Sequence, residues 1–147
     1  ISTSLRPGML DDLGIAAAME WLVADFEERT GTRCRLSLPN EPFTLKREIS
    51  TGVFRVLQQA LSNISRHSGA TRVNISLRER ADKLLLEIKD NGRGITDGEV
   101  ADTKSYGLMG MRERVSALGG DFAIGGIQGK GKTVSVSIPF ARRKDTP

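Results

Sequence analysis

The sequence predicts an α+β fold: a two-layer sandwich in which a mixed sheet of about five strands is covered on one face by three helices. Apolar residues recur at helical spacing in three segments, Leu10–Thr30, Lys46–Arg66 and Leu108–Leu118. Apolar and polar residues alternate, as in half-buried strands, in Arg33–Leu38, Val73–Leu77, Leu84–Ile88, Phe122–Ile127 and Thr133–Ile138. Since these elements do not follow a regular βαβ alternation, we expect an α+β rather than a doubly wound architecture.

Helix ends are marked by local residue types. The first helix has Asp11 or Asp12 near its start and Gly31 just past its end. The second helix is followed by Gly69, and the third is closed by Gly119–Gly120. Glycine is favoured at these positions because it adopts the left-handed conformation that terminates a helix.

Turns connect the predicted strands. The Ala81–Asp82 turn joins two alternating segments into a hairpin, and Gln128–Lys132 joins the last two strands. Between the hairpin and the third helix lie a glycine-rich loop, Asp90–Ile95, and a polar segment, Thr96–Tyr106, with little periodicity.

Composition limits the class of protein. The 147 residues, 38% of them hydrophobic, suffice for one domain with one core. No apolar run approaches the roughly 20 residues that span a bilayer. The single Cys34 excludes an internal disulfide and a zinc cluster, which favours a cytoplasmic setting. The chain begins at Ile1 rather than Met, so we expect it to be part of a longer protein.

Charge argues against direct binding of nucleic acid. The net charge is +4, and residues 141–147 alone contribute three basic side chains and one acidic one, or +2 of that total. The other 140 residues, with a net charge of only +2, carry no dense basic stripe.

One apparent nucleotide motif is rejected. Gly126–Thr133, GIQGKGKT, fits the phosphate-loop pattern G-x-x-x-x-G-K-[ST]. A phosphate loop opens a helix, whose N-terminal amides then face the phosphates. Here Val134–Pro139 alternates like a strand, so the match is coincidental.

Three other motifs carry candidate chemistry. Gln59 and Asn63 are four residues apart in the second helix and project from one face, where the amide oxygen of Asn63 suits a hard cation. Asp90-Asn91-Gly92-Arg93-Gly94 follows a strand; it offers a carboxylate acceptor beside glycines that admit a ligand, although a simple Asx turn would have the same sequence. Gly107 and Gly110 open the third helix, where exposed amides suit phosphate oxygens.

Together these motifs resemble the ATP-binding catalytic domain of sensor histidine kinases, within the Bergerat-fold superfamily, and most of all the subfamily of nitrate/nitrite sensors. Phe54–His67 resembles the family's N box, and Asp90–Gly94 and Gly107–Arg114 resemble its first two glycine boxes. Gly129–Thr133 resembles its third glycine element, and Leu5–Leu22 resembles the segment after the phosphoacceptor helices. The resemblance covers about Leu5 to Pro139.

The resemblance implies ATP and Mg²⁺ as cofactors, with a role for each matched residue. Asn63 would bind Mg²⁺, and Asp90 would accept a hydrogen bond from the adenine amino group, which predicts a strong preference for ATP over GTP. Thr133 would support the adenine ring through water. The remaining nucleotide contacts implied are Arg66, His67, Gly92, Gly94, Tyr106, Gly107, Leu108, Gly110 and Lys130, with Thr96–Tyr106 as a lid.

Two residues bear on catalysis. His67 is the only histidine, but its N-box position implies a nucleotide contact and not a phosphoacceptor. Gln59 stands where the subfamily usually has Glu, and an amide cannot act as a general base. Three alternatives therefore stay open: a histidine kinase module, a non-catalytic nucleotide sensor of the same fold, and a gyrase-type ATPase, against which Gln59 argues.

The resemblance also implies a larger organisation. Residues 1–30 would lead from a dimerisation and phosphoacceptor region into residues 31–140, the ATP-binding domain, and residues 141–147 would be a basic tail. The acceptor histidine would precede Ile1, in a homodimeric parent, while this fragment alone would be monomeric. A membrane anchor in that parent is compatible with the resemblance. The implied downstream partner is a response regulator with a helix-turn-helix output domain.

Overall fold

The computed structural model describes residues 7–40, 45–94, 98, 107–126 and 129–140, with side chains from residue 14 onward. The described elements are, in chain order, α1 (Pro7–Thr30), β1 (Arg33–Ser37), α2 (Arg47–Asn63), a π-helical turn (Ile64–Ser68), β2 (Arg72–Arg80), β3 (Lys83–Asp90), α3 (Leu108–Ala117), β4 (Asp121–Gly126) and β5 (Lys132–Pro139). The predicted α+β class is confirmed.

The five strands described form one mixed sheet in the order β1-β2-β3-β5-β4. β1 runs parallel to β2, whereas the β2–β3, β3–β5 and β4–β5 pairs are antiparallel. The β2–β3 hairpin turns at Ala81 and Asp82, both at positive φ, as expected for a tight two-residue turn. Because β1 and β2 are parallel neighbours joined through α2, one βαβ unit is present that the sequence did not predict.

The core lies between the sheet and the helices. Side chains alternate along a strand, so every second residue of β2, β3 and β5 faces the helices. These inward residues are buried: Val73, Ile75, Leu77, Leu84, Leu86, Ile88, Val134, Val136 and Ile138. The helices contribute Met19, Phe26, Phe54, Leu57, Leu108 and Val115, among others, and Trp21 and Cys34 pack against this core partly buried.

Two helices depart from simple α geometry. α1 is broken at Gly14, whose φ of 81° and ψ of 169° lie outside the helical region. α2 continues past Asn63 into the π-helical turn, which ends where Gly69 adopts the left-handed conformation. π turns of this kind occur frequently at functional sites. The predicted lid, residues 96–106, and the tail, residues 141–147, lie outside the described residues except for Gly98.

Candidate nucleotide-binding site

The N-box pair lies on the last full turns of α2, facing the start of α3. Asn63 is 2% exposed, and its Oδ1 accepts a hydrogen bond from Gln59 Nε2 across 3.2 Å. Gly107 packs against Gln59: a Cβ built on Gly107 would lie 3.0 Å from Gln59 Cδ. The structure therefore brings the first and third sequence motifs together.

A cleft of about 700 Å³ runs between α2 and α3. Gln59, Gly107 and Gly110 line it, together with Thr51, Arg55, Gln58, Ser62, Met111 and Arg114. Gly107 has a φ of 63° and stands at the N-cap of α3, where backbone amides are free of helical partners. Leu108 points its side chain into the core, so only its backbone amide suits a phosphate.

The second motif ends β3 in a tightly built loop. Asp90 Oδ1 accepts the N–H of Gly92 at 2.8 Å, which is the Asx turn that the sequence left open. Asn91 fixes the loop to β2, since its Oδ1 accepts the N–H groups of Thr71 and Arg72, each at 2.9 Å. Glycine is required at position 92 because a Cβ there would overlap the carbonyl oxygen of Ser68.

The π-helical turn holds this loop from the other side. Arg93 N–H donates to the carbonyl of Ser68 at 2.9 Å, and Arg93 Nε donates to the carbonyl of His67 at 2.5 Å. The Gly129 N–H in turn donates to the carbonyl of Arg93 at 2.6 Å. The N-box end, the first glycine box and the third glycine element are thus joined by backbone, with Arg93 at the centre, a residue that sequence reasoning missed.

The buried partner of Asp90 is Lys132. Lys132 Nζ lies 2.8 Å from Asp90 Oδ2, and the two side chains are 5% and 1% exposed. Both residues face the helix layer from adjacent strands, because β3 and β5 pair Asp90 with Lys132. Sequence reasoning missed Lys132, and strand alternation from the buried Val134 and Val136 would have placed it on this face.

The expectation for Thr133 is therefore corrected. Thr133 pairs with Lys89, one position along from the Asp90–Lys132 pair, and alternation points both side chains to the opposite face of the sheet. The structure does not bring the Thr133 side chain to Asp90. The strand at Lys132–Pro139 also confirms that the apparent phosphate loop opens no helix.

The other expected contacts are dispersed. Arg66 lines a separate cavity of about 340 Å³ between α1 and α2, shared with Asp25, Arg29 and Ser62. His67 contributes its carbonyl to the loop anchor, and Gly94 is buried with a φ of 82°. Lys130 is exposed within the third glycine element, and Tyr106 lies outside the described residues.

Asn63 fits a magnesium ion that is held mainly by a ligand. Within the described ranges, no group of three or more His, Cys, Asp or Glu could hold a metal on its own. A neutral amide oxygen is a hard donor suited to Mg²⁺, which usually takes few protein ligands and completes its shell with water and phosphate oxygens. The residues thus fit a nucleotide-bound cation.

Among the described helices, none is long and apolar enough to cross a membrane.

The burial of Cys34, with a smaller effect of the nearby Glu27 carboxylate, raises the pKa of its thiol to about 11.

Comparison with known proteins identifies the family. Residues 48–142 match the model of the histidine kinase-, DNA gyrase B- and HSP90-like ATPase family. The chain is 35% identical over 142 residues to the sensor histidine kinase MctS of Rhizobium johnstonii, covering 95% of this chain and 30% of that protein. It is also 35% identical over 136 residues to the histidine-protein kinase/phosphatase DegS of Brevibacillus brevis, covering 92% of this chain and 35% of that protein.

The solved structures agree on the fold. The histidine kinase AdeS of Acinetobacter baumannii superposes with a TM-score of 0.71 at 19% identity, covering 92% of this chain and 74% of that one. The chain spans about a third of the length of the curated relatives it matches. It belongs to the histidine kinase-, DNA gyrase B- and HSP90-like ATPase family.

Proposed function

We propose that this chain binds ATP with Mg²⁺ and transfers the γ-phosphate to a histidine on a dimerisation domain of a longer, homodimeric protein. A response regulator would then receive the phosphate. The proposal depends most on one observation: Gln59 and Gly107 meet at one cleft, and Gln59 is bonded there to the buried Asn63. The Asp90 loop is fixed to the end of the same helix.

Each residue supports a part of this function. Asn63 would hold the cation, which neutralises charge on the phosphates as phosphoryl transfer requires. The amides of Gly107, Leu108 and Gly110 would bind phosphate oxygens at the start of α3. Asp90 would contact the base, while Gly92 and Gly94 let it approach the backbone. Arg66, His67, Tyr106 and Lys130 stay further nucleotide contacts in this proposal.

A phosphate-labelling experiment tests the proposal. The chain alone, incubated with ATP labelled at the γ-phosphate, should bind nucleotide but incorporate no label, because its only histidine, His67, is expected to contact the nucleotide and not to accept the phosphate. Adding the dimerisation domain should give label that is lost in acid and stable in base. Stable label on His67 in the chain alone would contradict the proposal.

One observation favours a second candidate, a nucleotide sensor that binds without transfer. Gln59 stands at the expected base position, and its amide already donates to Asn63. In that case the dimerisation domain would stay unlabelled although ATP binds normally. The same experiment therefore separates the two functions.

A further inference from the structure

The Asp90–Lys132 ion pair lies where the base is expected to bind. Asp90 is held at both oxygens: Oδ1 by the Gly92 N–H at 2.8 Å, and Oδ2 by Lys132 Nζ at 2.8 Å. Both side chains are almost fully buried. A base that reaches Asp90 therefore meets a carboxylate and an ammonium together, and not a carboxylate alone.

Both side chains of the pair can form further hydrogen bonds. An ammonium carries three N–H donors, and within the described part of the chain Lys132 uses one, toward Asp90. Each carboxylate oxygen offers two lone pairs, so Asp90 can accept further bonds. The lysine stem is flexible, so its ammonium can shift toward a bound base while the Gly92 amide keeps the carboxylate in place.

The chemistry of the two purines differs at this edge. Adenine presents an amino donor next to a ring-nitrogen acceptor, whereas guanine presents a carbonyl acceptor next to a ring N–H donor. A carboxylate alone matches adenine and opposes the guanine carbonyl. The carboxylate and the ammonium together match both bases. With adenine, Asp90 would accept from the amino group and Lys132 would donate to the ring nitrogen. With guanine, Asp90 would accept from the ring N–H and Lys132 would donate to the carbonyl.

We propose that Lys132 determines base specificity, and that the Asp90–Lys132 pair admits guanine nucleotides as well as adenine nucleotides. This inference rests on the proposed nucleotide-binding function. It replaces the strong preference for ATP that the sequence predicted, because the carbonyl of guanine would face an ammonium donor and not a second acceptor.

The first test uses the unmodified chain and calorimetry with Mg²⁺ and ATP, GTP or inosine triphosphate. Inosine shares the carbonyl and ring N–H of guanine but lacks its extra amino group. We expect all three dissociation constants to lie within about tenfold of one another, about 1.4 kcal/mol. ATP binding with a preference above about 100-fold over both others would overturn the inference and leave the proposed function standing. No binding of any nucleotide would overturn both.

The second test removes the ammonium. Lys132→Met keeps the length of the side chain and removes its donor, so we expect the preference for ATP over GTP to rise at least about tenfold. Lys89→Met is the matched control: Lys89 is exposed, adjacent to Asp90 in sequence and on the opposite face of the sheet, and its substitution should leave the preference unchanged. Thermal unfolding checks that both variants fold.

Two outcomes of the second test count against the inference. An unchanged preference in folded Lys132→Met would show that the ammonium does not contact the base. Tighter ATP binding with no change in the ratio of the GTP and ATP dissociation constants would show that Lys132 merely obstructs the pocket. If Lys132→Met does not fold, the three affinities of the unmodified chain still decide the matter.

Discussion

Gln59 Nε2 donates to Asn63 Oδ1 across 3.2 Å, one turn apart on α2. This bond orients the amide of Asn63, so that the oxygen proposed for the cation and the residue at the proposed base position act as one unit. A substitution at either residue therefore removes or changes the hydrogen bond between them. The first two predictions concern these two residues.

Asn63→Ala should weaken Mg²⁺-dependent ATP binding by at least about tenfold, or about 1.4 kcal/mol, because the cation loses its protein oxygen. Binding measured with the metal chelated should change far less, since the base contacts remain. Calorimetry with and without Mg²⁺ gives the comparison. Asn74→Ala, an exposed asparagine on β2, serves as the control, and equal losses with and without Mg²⁺ would contradict the role of Asn63.

Gln59→Glu should raise ATP hydrolysis. The unmodified chain should hydrolyse ATP barely above background, because an amide cannot take a proton and general bases typically contribute ~10²–10⁴-fold. The new carboxylate can no longer donate to Asn63, whose amide must rotate to present its N–H. Steady-state phosphate release is the measurement, with the adjacent Gln58→Glu as control. Rapid hydrolysis by the unmodified chain would place Gln59 outside the base position.

Asp90→Asn should destabilise the fold as well as weaken nucleotide binding. The substitution leaves the Lys132 ammonium buried without its counter-ion, and breaking a buried pair in this way costs about 3–5 kcal/mol. Urea unfolding measures the loss. The double variant Asp90→Asn with Lys132→Met should recover much of it, because the uncompensated charge is gone. A single variant as stable as the unmodified chain would show that the pair is weak.

Gly92→Ala and Gly110→Ala should have opposite effects on stability. A Cβ at Gly92 overlaps the Ser68 carbonyl, so the loop must move, at a cost of about 1–3 kcal/mol. A Cβ at Gly110 meets nothing within 4 Å, and alanine in a helix gains at most about 1 kcal/mol over glycine. Parallel denaturant titrations compare them, and equal stability of the two variants would refute the close packing at Gly92.

Cys34 should alkylate slowly near neutral pH. Burial raises its pKa from 9.0 to about 11, so at pH 8 the native chain has about 100-fold less thiolate than the unfolded chain. A raised folded pKa means that the thiol's contribution to stability is full below pH 9 and is lost as the pH rises through 11. Iodoacetamide rates in buffer and in urea, from pH 7 to 11, test this. A native midpoint near 9 would contradict it.

The spacing of apolar residues and the glycines that end helices made most of the fold predictable. The helical spacing of Ile49, Val53 and Val56 and the two-residue alternation of Val73, Ile75 and Leu77 both place buried side chains, and the structure buries all six. Gly31 and Gly69 end helices at positive φ, as their residue type predicts. These signals are local, so they can be read from a single sequence.

Pairings between distant segments were not predictable in the same way. The parallel contact of β1 with β2 depends on the path of the chain through α2 between the two strands, which no local pattern encodes. The expected role of Thr133 beside the adenine ring relied on residue type, whereas strand register puts Lys132 on the face of Asp90 and Thr133 on the opposite face. The π-helical turn depends on anchors from Arg93, 25 or more residues away.

The parallel pairing of β1 with β2 bears on the order of folding. Arg33 meets Arg72 only after the intervening chain has closed a long loop, whereas β2 and β3 meet across a two-residue turn. Loop closure must be completed before a distant pairing can stabilise it, so the β2–β3 hairpin forms early and β1 docks late. As an edge strand docked last, β1 should also open first, and its amide hydrogens should exchange with solvent before those of β3.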